Sequence, residues 1–161
     1  MRKLCILATA MWTLAAITIF GIAPSVAQPV RPPVLTAAGP DLAPIPTRLE
    51  HGVISVRNIG ASTSAPSIVT VHCHKAGLRG GCAEAPARYE AAYTDPAYPD
   101  RLVVEVPALA PGHVHNHTLP FWPAMVWASG SYEFEFVADA GASNAETNEA
   151  NNSGSWTKVV P

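Results

Sequence analysis

The sequence predicts an all-β fold, an antiparallel sandwich of two sheets, on three observations. Short β-branched and aromatic runs alternate apolar with polar residues at a period of two. Turn formers separate them, with 11 Gly and 16 Pro among 161 residues. No window sustains a helical apolar period between good caps, so little helix is expected. A strand with one apolar face buries that face only when a second sheet stacks on it.

Two segments of other character precede the strands. Arg2 and Lys3 lead into an apolar run from Leu4 to Ala23, and Ser25-Val26-Ala27 supplies a small-x-small cleavage site. Residues 1–27 therefore read as a secretory signal peptide. The run is also long enough to span a bilayer, so a retained anchor is the competing reading. Cys5 sits near the start of the run, away from a lipid-attachment position. Residues 28–40 carry Pro29, Pro32, Pro33 and Pro40 and read as a Pro-rich linker. The domain then occupies 41–161, and the expected location is periplasmic or secreted.

Within the domain, Val53 to Ile59 is a β-branched run closed by Gly60. Ser67 to Cys73 is the next strand; Val69, Val71 and Cys73 share one face, and Ile68, Thr70, His72 and His74 the other. Ala83 to Asp100 is long for a hairpin connection and holds Tyr89, Tyr93 and Tyr98. Pro86 followed by Ala, Arg and Glu predicts a short helical turn over Ala87–Tyr93. Leu102 to Val106 alternates again. Tyr132-Glu133-Phe134-Glu135-Phe136 is the cleanest alternation, rings inward and carboxylates outward, and Trp156 to Val160 closes the domain.

Charge narrows the function. Ten Lys and Arg against 12 Asp and Glu give a net charge of -2, without the basic surplus that phosphate neutralisation needs, so no nucleic-acid partner is expected. After the signal segment no second apolar stretch reaches membrane-spanning length.

The carboxyl-terminal run Ser131 to Asp139, followed by Glu146-Thr147-Asn148-Glu149-Ala150-Asn151-Asn152, resembles the end of CARDB domains, cell-adhesion-related domains found in bacteria. Pro40-Asp41-Leu42 is similar to the domain opening, Val56-Arg57-Asn58-Ile59-Gly60 to a strand ending in Asn-x-Gly, and Leu109-Ala110-Pro111-Gly112 to a Leu-x-x-Gly turn. The resemblance runs from about Asp41 to Val160. It implies an immunoglobulin-like sandwich of about seven strands in an exported bacterial protein, acting as an interaction or spacer module. It supplies no activity.

Candidate chemistry is sparse. Cys73 and Cys82 are the two cysteines left after signal removal, and three glycines lie between them. In an oxidising compartment they are expected to form a disulfide, worth roughly 2–3 kcal/mol for so short a loop. His113, His115 and His117 alternate, so on a strand they project from one face about 7 Å apart. Together with His72 and His74 they are candidate ligands for zinc or copper. The rival reading is a row that passes from a wet sheet end to Leu119 and Phe121 in the core. Cys73 points away from His72 and His74, which disfavours a mixed thiolate site. The stretch Asp139 to Asn152 offers oxygens, yet its spacing is no EF-hand, and Asn and Asp holding a turn is the simpler account. No Gly-x-Ser-x-Gly, His-Glu-x-x-His or phosphate loop occurs, and no enzyme is expected.

The expected function is an exported, noncatalytic β-sandwich that binds a protein or surface polymer through its loops. Tyr89, Tyr93 and Tyr98 mark the candidate partner-binding loop, since function concentrates on loops held by a rigid scaffold. A periplasmic metal-binding module using the strand histidines is the alternative. No cofactor is expected beyond that zinc or copper.

Overall fold

The structure, a computed structural model, describes residues 38–78, 82–83 and 86–161. Residues 1–27, expected to be a signal peptide, and most of the expected linker lie outside the described residues, as do positions 79–81 and 84–85 within the chain. Seven strands occur among them: β1 (Leu42–Pro44), β2 (Val53–Asn58), β3 (Ser67–Lys75), β4 (Arg101–Val106), β5 (Val114–Thr118), β6 (Gly130–Val137) and β7 (Ser153–Val160). One short helix, α1 (Ala87–Tyr93), lies between β3 and β4.

The strands form two antiparallel sheets, the first ordered β1-β2-β5 and the second β4-β3-β6-β7. This is the expected all-β sandwich. Alternation decides what is buried. Val69 and Val71 of β3, Val104 and Val106 of β4, and Tyr132, Phe134 and Phe136 of β6 join Leu42, Ile54 and Val56 of the first sheet in one core. Each such side chain, fully buried, stabilises the fold by about 1.5–3 kcal/mol.

The Asn-x-Gly strand end is explained at one corner of the sandwich. Asn58 is fully buried and uses its whole side chain. Its Oδ1 accepts from Asp41 N at 3.2 Å and Gly60 N at 3.0 Å, and its Nδ2 donates to Ser62 O at 2.8 Å and Leu109 O at 2.7 Å. Gly60 lies so close to the preceding chain that a Cβ there would stand 2.5 Å from Gly39 O. A side chain at that position would push the two segments apart.

The carboxyl-terminal acidic stretch holds a turn and fastens it to β1. Asp139 accepts from Ser143 N at 3.0 Å and Asn144 N at 2.8 Å, and Asn144 accepts from Ala65 N at 2.7 Å. Asn148 accepts from Ala150 N at 3.1 Å, the usual way a short polar side chain caps the following turn. Asn151 Nδ2 donates to Asp41 at 2.7 Å, and Glu146 accepts from Leu42 N at 2.6 Å. The density of Asn and Glu here thus reflects backbone groups that need partners.

Candidate functional site

The connection from β3 to β4 crosses one open flank of the sandwich as a strap. It is tied at its start by the Cys73–Cys82 disulfide, which spans nine residues with a Cα–Cα distance of 6.1 Å. In its middle runs α1, over the residues expected to be helical. Tyr93, at the last turn of α1, is 8% exposed and meets Phe121 edge-on at 5.2 Å between ring centres. Tyr89 lies half-buried against Phe121 at 5.5 Å. Tyr98, also half-buried, donates its O–H to Ala140 O at 3.0 Å. All three tyrosines proposed for partner contact thus hold the strap down. Burial, and then the neighbouring Tyr89, raises the Tyr93 pKa above the usual phenol value.

Beneath the start of the strap lies a cleft of about 590 Å³. Tyr93, Phe121, Trp122, Trp127 and Phe134 contribute to its wall, with Met125 beside them, and Arg101 also lines it. The β5–β6 connection supplies four of these side chains. Trp122 and Trp127 stand 5.5 Å apart, Trp127 meets Tyr132 edge-on at 4.8 Å, and Lys158 lies 5.8 Å from the Trp127 ring centre. Such a cation over an indole face is favourable by about 0.5–1 kcal/mol at an exposed site. Gly52 makes room for Trp122. It has a φ of 71°, and a Cβ there would stand 2.6 Å from the tryptophan. Glu90, Thr94 and Asp100 are exposed residues lining the same cleft. On the same connection Val126 is 87% exposed, an apolar side chain left in water.

The histidines separate into two groups that do not meet. His115 and His117 sit on β5 opposite Val56 and Ile54, so they face the sandwich interior at its edge. His113 belongs to the turn before β5, where its carbonyl accepts from Asn58 N at 3.0 Å. The expected row of three on one strand is therefore a pair. His117 Nε2 is 3.0 Å from the Tyr93 hydroxyl. Burial, followed by the charge of His115, lowers the His117 pKa and favours the neutral ring. Leu119 and Phe121 continue the inward direction as fully buried residues.

His72 and His74 project from the outer face of the second sheet, where the register sets them opposite Glu135 and Glu133. His74 Nε2 lies 3.1 Å from Glu133, and His72 Nδ1 lies 3.7 Å from Glu135. Period-two reading put His72 with His74 on one face and Glu133 with Glu135 outward but left their pairing open, because register is a tertiary property. Among the described residues no three His, Cys, Asp or Glu side chains gather closely enough to hold a metal ion. A zinc or copper site built from all five histidines is not assembled here, since the two groups occupy different sheets and different faces.

Sequence reasoning did not assign Met125 or Leu49 to the cleft. Leu49 comes from a short 3-10 turn, Pro46–His51, whose one buried residue carries no periodic signal. Phe121 and Trp122 lie between Pro120 and Pro123 in the sequence, with Trp127 just beyond, and that spacing does not say which rings are buried.

Among the described residues no helix is long and apolar enough to cross a membrane. No curated protein matches the sequence. A CARDB domain from Pyrococcus furiosus, crystallised in complex with di-metal ions, is 16% identical over 76% of this chain and 94% of its own, with a TM-score of 0.39. The CARDB family model matches residues 81–155, a span that contains β4, β5, β6 and the Glu-x-Asn-Glu-x-Asn-Asn turn. The match over 81–155 supports a CARDB domain within the β-sandwich of this chain.

Proposed function

We propose that the protein is an exported, noncatalytic binding module that takes a partner protein or a surface polymer into the aromatic cleft under its strap. The observation that carries this reading is the cleft itself. Five aromatic side chains and a methionine line a concavity of about 590 Å³, within the size range of ligand sites. Two other features support it. The disulfide suits an oxidising compartment, as does the basic-then-apolar amino terminus. The strap's anchors give the cleft a fixed shape, which reduces the ordering cost of binding.

The test is a tryptophan-fluorescence titration with two probes, purified cell-wall sacculi and the detergent-solubilised protein fraction of a bacterial envelope. Saturable quenching is expected with one of them. A Glu90→Lys, Thr94→Lys double variant, altered at exposed positions only, should melt normally and lose that response at least tenfold. Equal responses from variant and wild type would remove the cleft as the binding site. No saturable response to either probe would remove the reading altogether.

A further inference from the structure

Two sheets have four edges, here β1, β5, β4 and β7. A bare edge is a template for another strand, and proteins blunt it with proline, charge or a covering element. Three of the four are blunted. β1 is three residues long and ends in Pro44. β7 carries Lys158. β4 carries Arg101 and Glu105, and α1 packs beside it. β5, reading Val114-His115-Asn116-His117-Thr118, has no proline, lysine, arginine or carboxylate.

The hydrogen-bond parity of β5 shows which groups face outward. Asn58 N donates to His113 O at one end of the β2–β5 ladder, and Leu119 N donates to Gly52 O at the other. Antiparallel partners exchange bonds at every second pair. With the observed register, the bonded pairs between those ends are Val56 with His115 and Ile54 with His117. The N–H and C=O groups of Val114, Asn116 and Thr118 therefore point to the free edge. Beside that edge runs a groove of about 540 Å³ between β5 and β4, whose wall includes Ile68, Tyr93, Val103, His115 and His117. Its charged lining residues are Asp95 and Glu105, both acidic. His115 contributes a buried Nε2 with no hydrogen-bond partner among the described residues.

We propose that β5 is a strand-acceptor edge that takes an extended segment of a partner protein as the fourth strand of the first sheet. Main-chain bonds to Val114, Asn116 and Thr118 give the segment its register. Alternate apolar side chains enter the groove, and a basic side chain faces Asp95 and Glu105. Backbone pairing of this kind supplies affinity while the alternate pockets supply selectivity. The groove shares Tyr93 and Thr94 with the cleft, whereas the β5 edge, Asp95 and Glu105 are not part of the cleft.

The test uses the full chain, isotopically labelled, and an acetylated, amidated nonapeptide of alternating lysine and valine. Amide hydrogen exchange is followed at Val114, Asn116 and Thr118. At saturating peptide these three amides are expected to slow at least tenfold, while those of His115 and His117, already bonded to β2, change little. The same peptide with a central proline should bind at least tenfold more weakly, and a Val114→Pro variant should show a similar loss. The proline peptide keeps the test valid even if that variant fails to fold. Three results would overturn the proposal: no slowing at millimolar peptide, slowing along Arg101–Val106 instead, or equal binding of the interrupted peptide. Slowing that follows protein concentration without peptide would also overturn it, by making a second copy of the chain the occupant. Glu90→Lys alone, at a residue that lines the cleft and not the groove, should leave peptide binding at β5 intact.

Discussion

The phenol of Tyr93 stands 3.0 Å from Nε2 of His117, and this contact joins the β3–β4 strap to the first sheet. The geometry is complementary, because a half-buried imidazole held neutral can accept a hydrogen bond from the phenol. The same ring packs edge-on against Phe121. Tyr93→Phe keeps that packing and removes the hydrogen bond, so it should destabilise the fold by about 1 kcal/mol. Tyr93→Ala also empties the space of the ring and should cost about 3–5 kcal/mol. Urea unfolding of the two variants separates the terms.

Cys73 and Cys82 anchor the other end of the strap. Closing a loop of nine residues stabilises the folded state chiefly by restricting the unfolded one, by roughly 2–3 kcal/mol. A Cys73→Ser, Cys82→Ser variant should therefore melt at a lower temperature yet keep the β-sheet circular dichroism of the wild type. Reductant should lower the wild-type melting temperature to about that of the variant and leave the variant unchanged.

Local pattern and tertiary pairing account for what could be read ahead of the structure. β2, β3, β4, β6 and β7 announced themselves because each alternates over a face that the core needs, and α1 because Pro86 precedes good helix formers. β1 is only three residues long and has too few positions to show a period. The histidines show the limit most clearly. Spacing put His115 and His117 on one face and His72 with His74 on another, but sheet order decided that the first pair looks inward and the second outward. Likewise the tyrosines were visible, while their burial depends on Phe121 and Ala140, which lie far away in sequence.

Glu146 makes stability depend on pH near neutrality. Burial is the main reason its pKa rises to about 7, and Asp139, Glu149 and Asp41 push the same way, against the bond from Leu42 N. A carboxyl group with a higher pKa in the folded state binds more protons there, so its stabilising effect is full below about pH 4.5 and disappears as pH rises through about 7. His117, with a lowered pKa, acts in the opposite sense, its contribution being present above the unfolded value of 6.5 and lost as pH falls. The His117 slope is common to the wild type and Glu146→Gln, so the difference between the two isolates Glu146. Denaturation between about pH 6.5 and 7.5 should show wild-type stability falling with pH relative to that of Glu146→Gln. Parallel slopes for the two would refute the assignment.

Asn58 offers the sharpest test of how the corner is built. Its amide satisfies two backbone N–H groups and two carbonyls from segments on either side of the sandwich end, and it is fully buried. Alanine would leave Asp41 N, Gly60 N and Ser62 O without these partners, while Leu109 O keeps its bond from Ser64 N. Each unmet buried group costs about 1–3 kcal/mol, although backbone adjustment recovers part of that. Asn58→Ala should therefore destabilise by about 3 kcal/mol or more. Aspartate keeps the two accepted bonds from Asp41 N and Gly60 N but loses the donors to Ser62 O and Leu109 O, and it adds a buried charge. Asn58→Asp should be at least as damaging at neutral pH and recover partly in acid, where the protonated carboxyl can donate one bond. If both variants unfold at the wild-type denaturant midpoint, the corner is held by the surrounding packing, and the Asn-x-Gly strand end has some other cause.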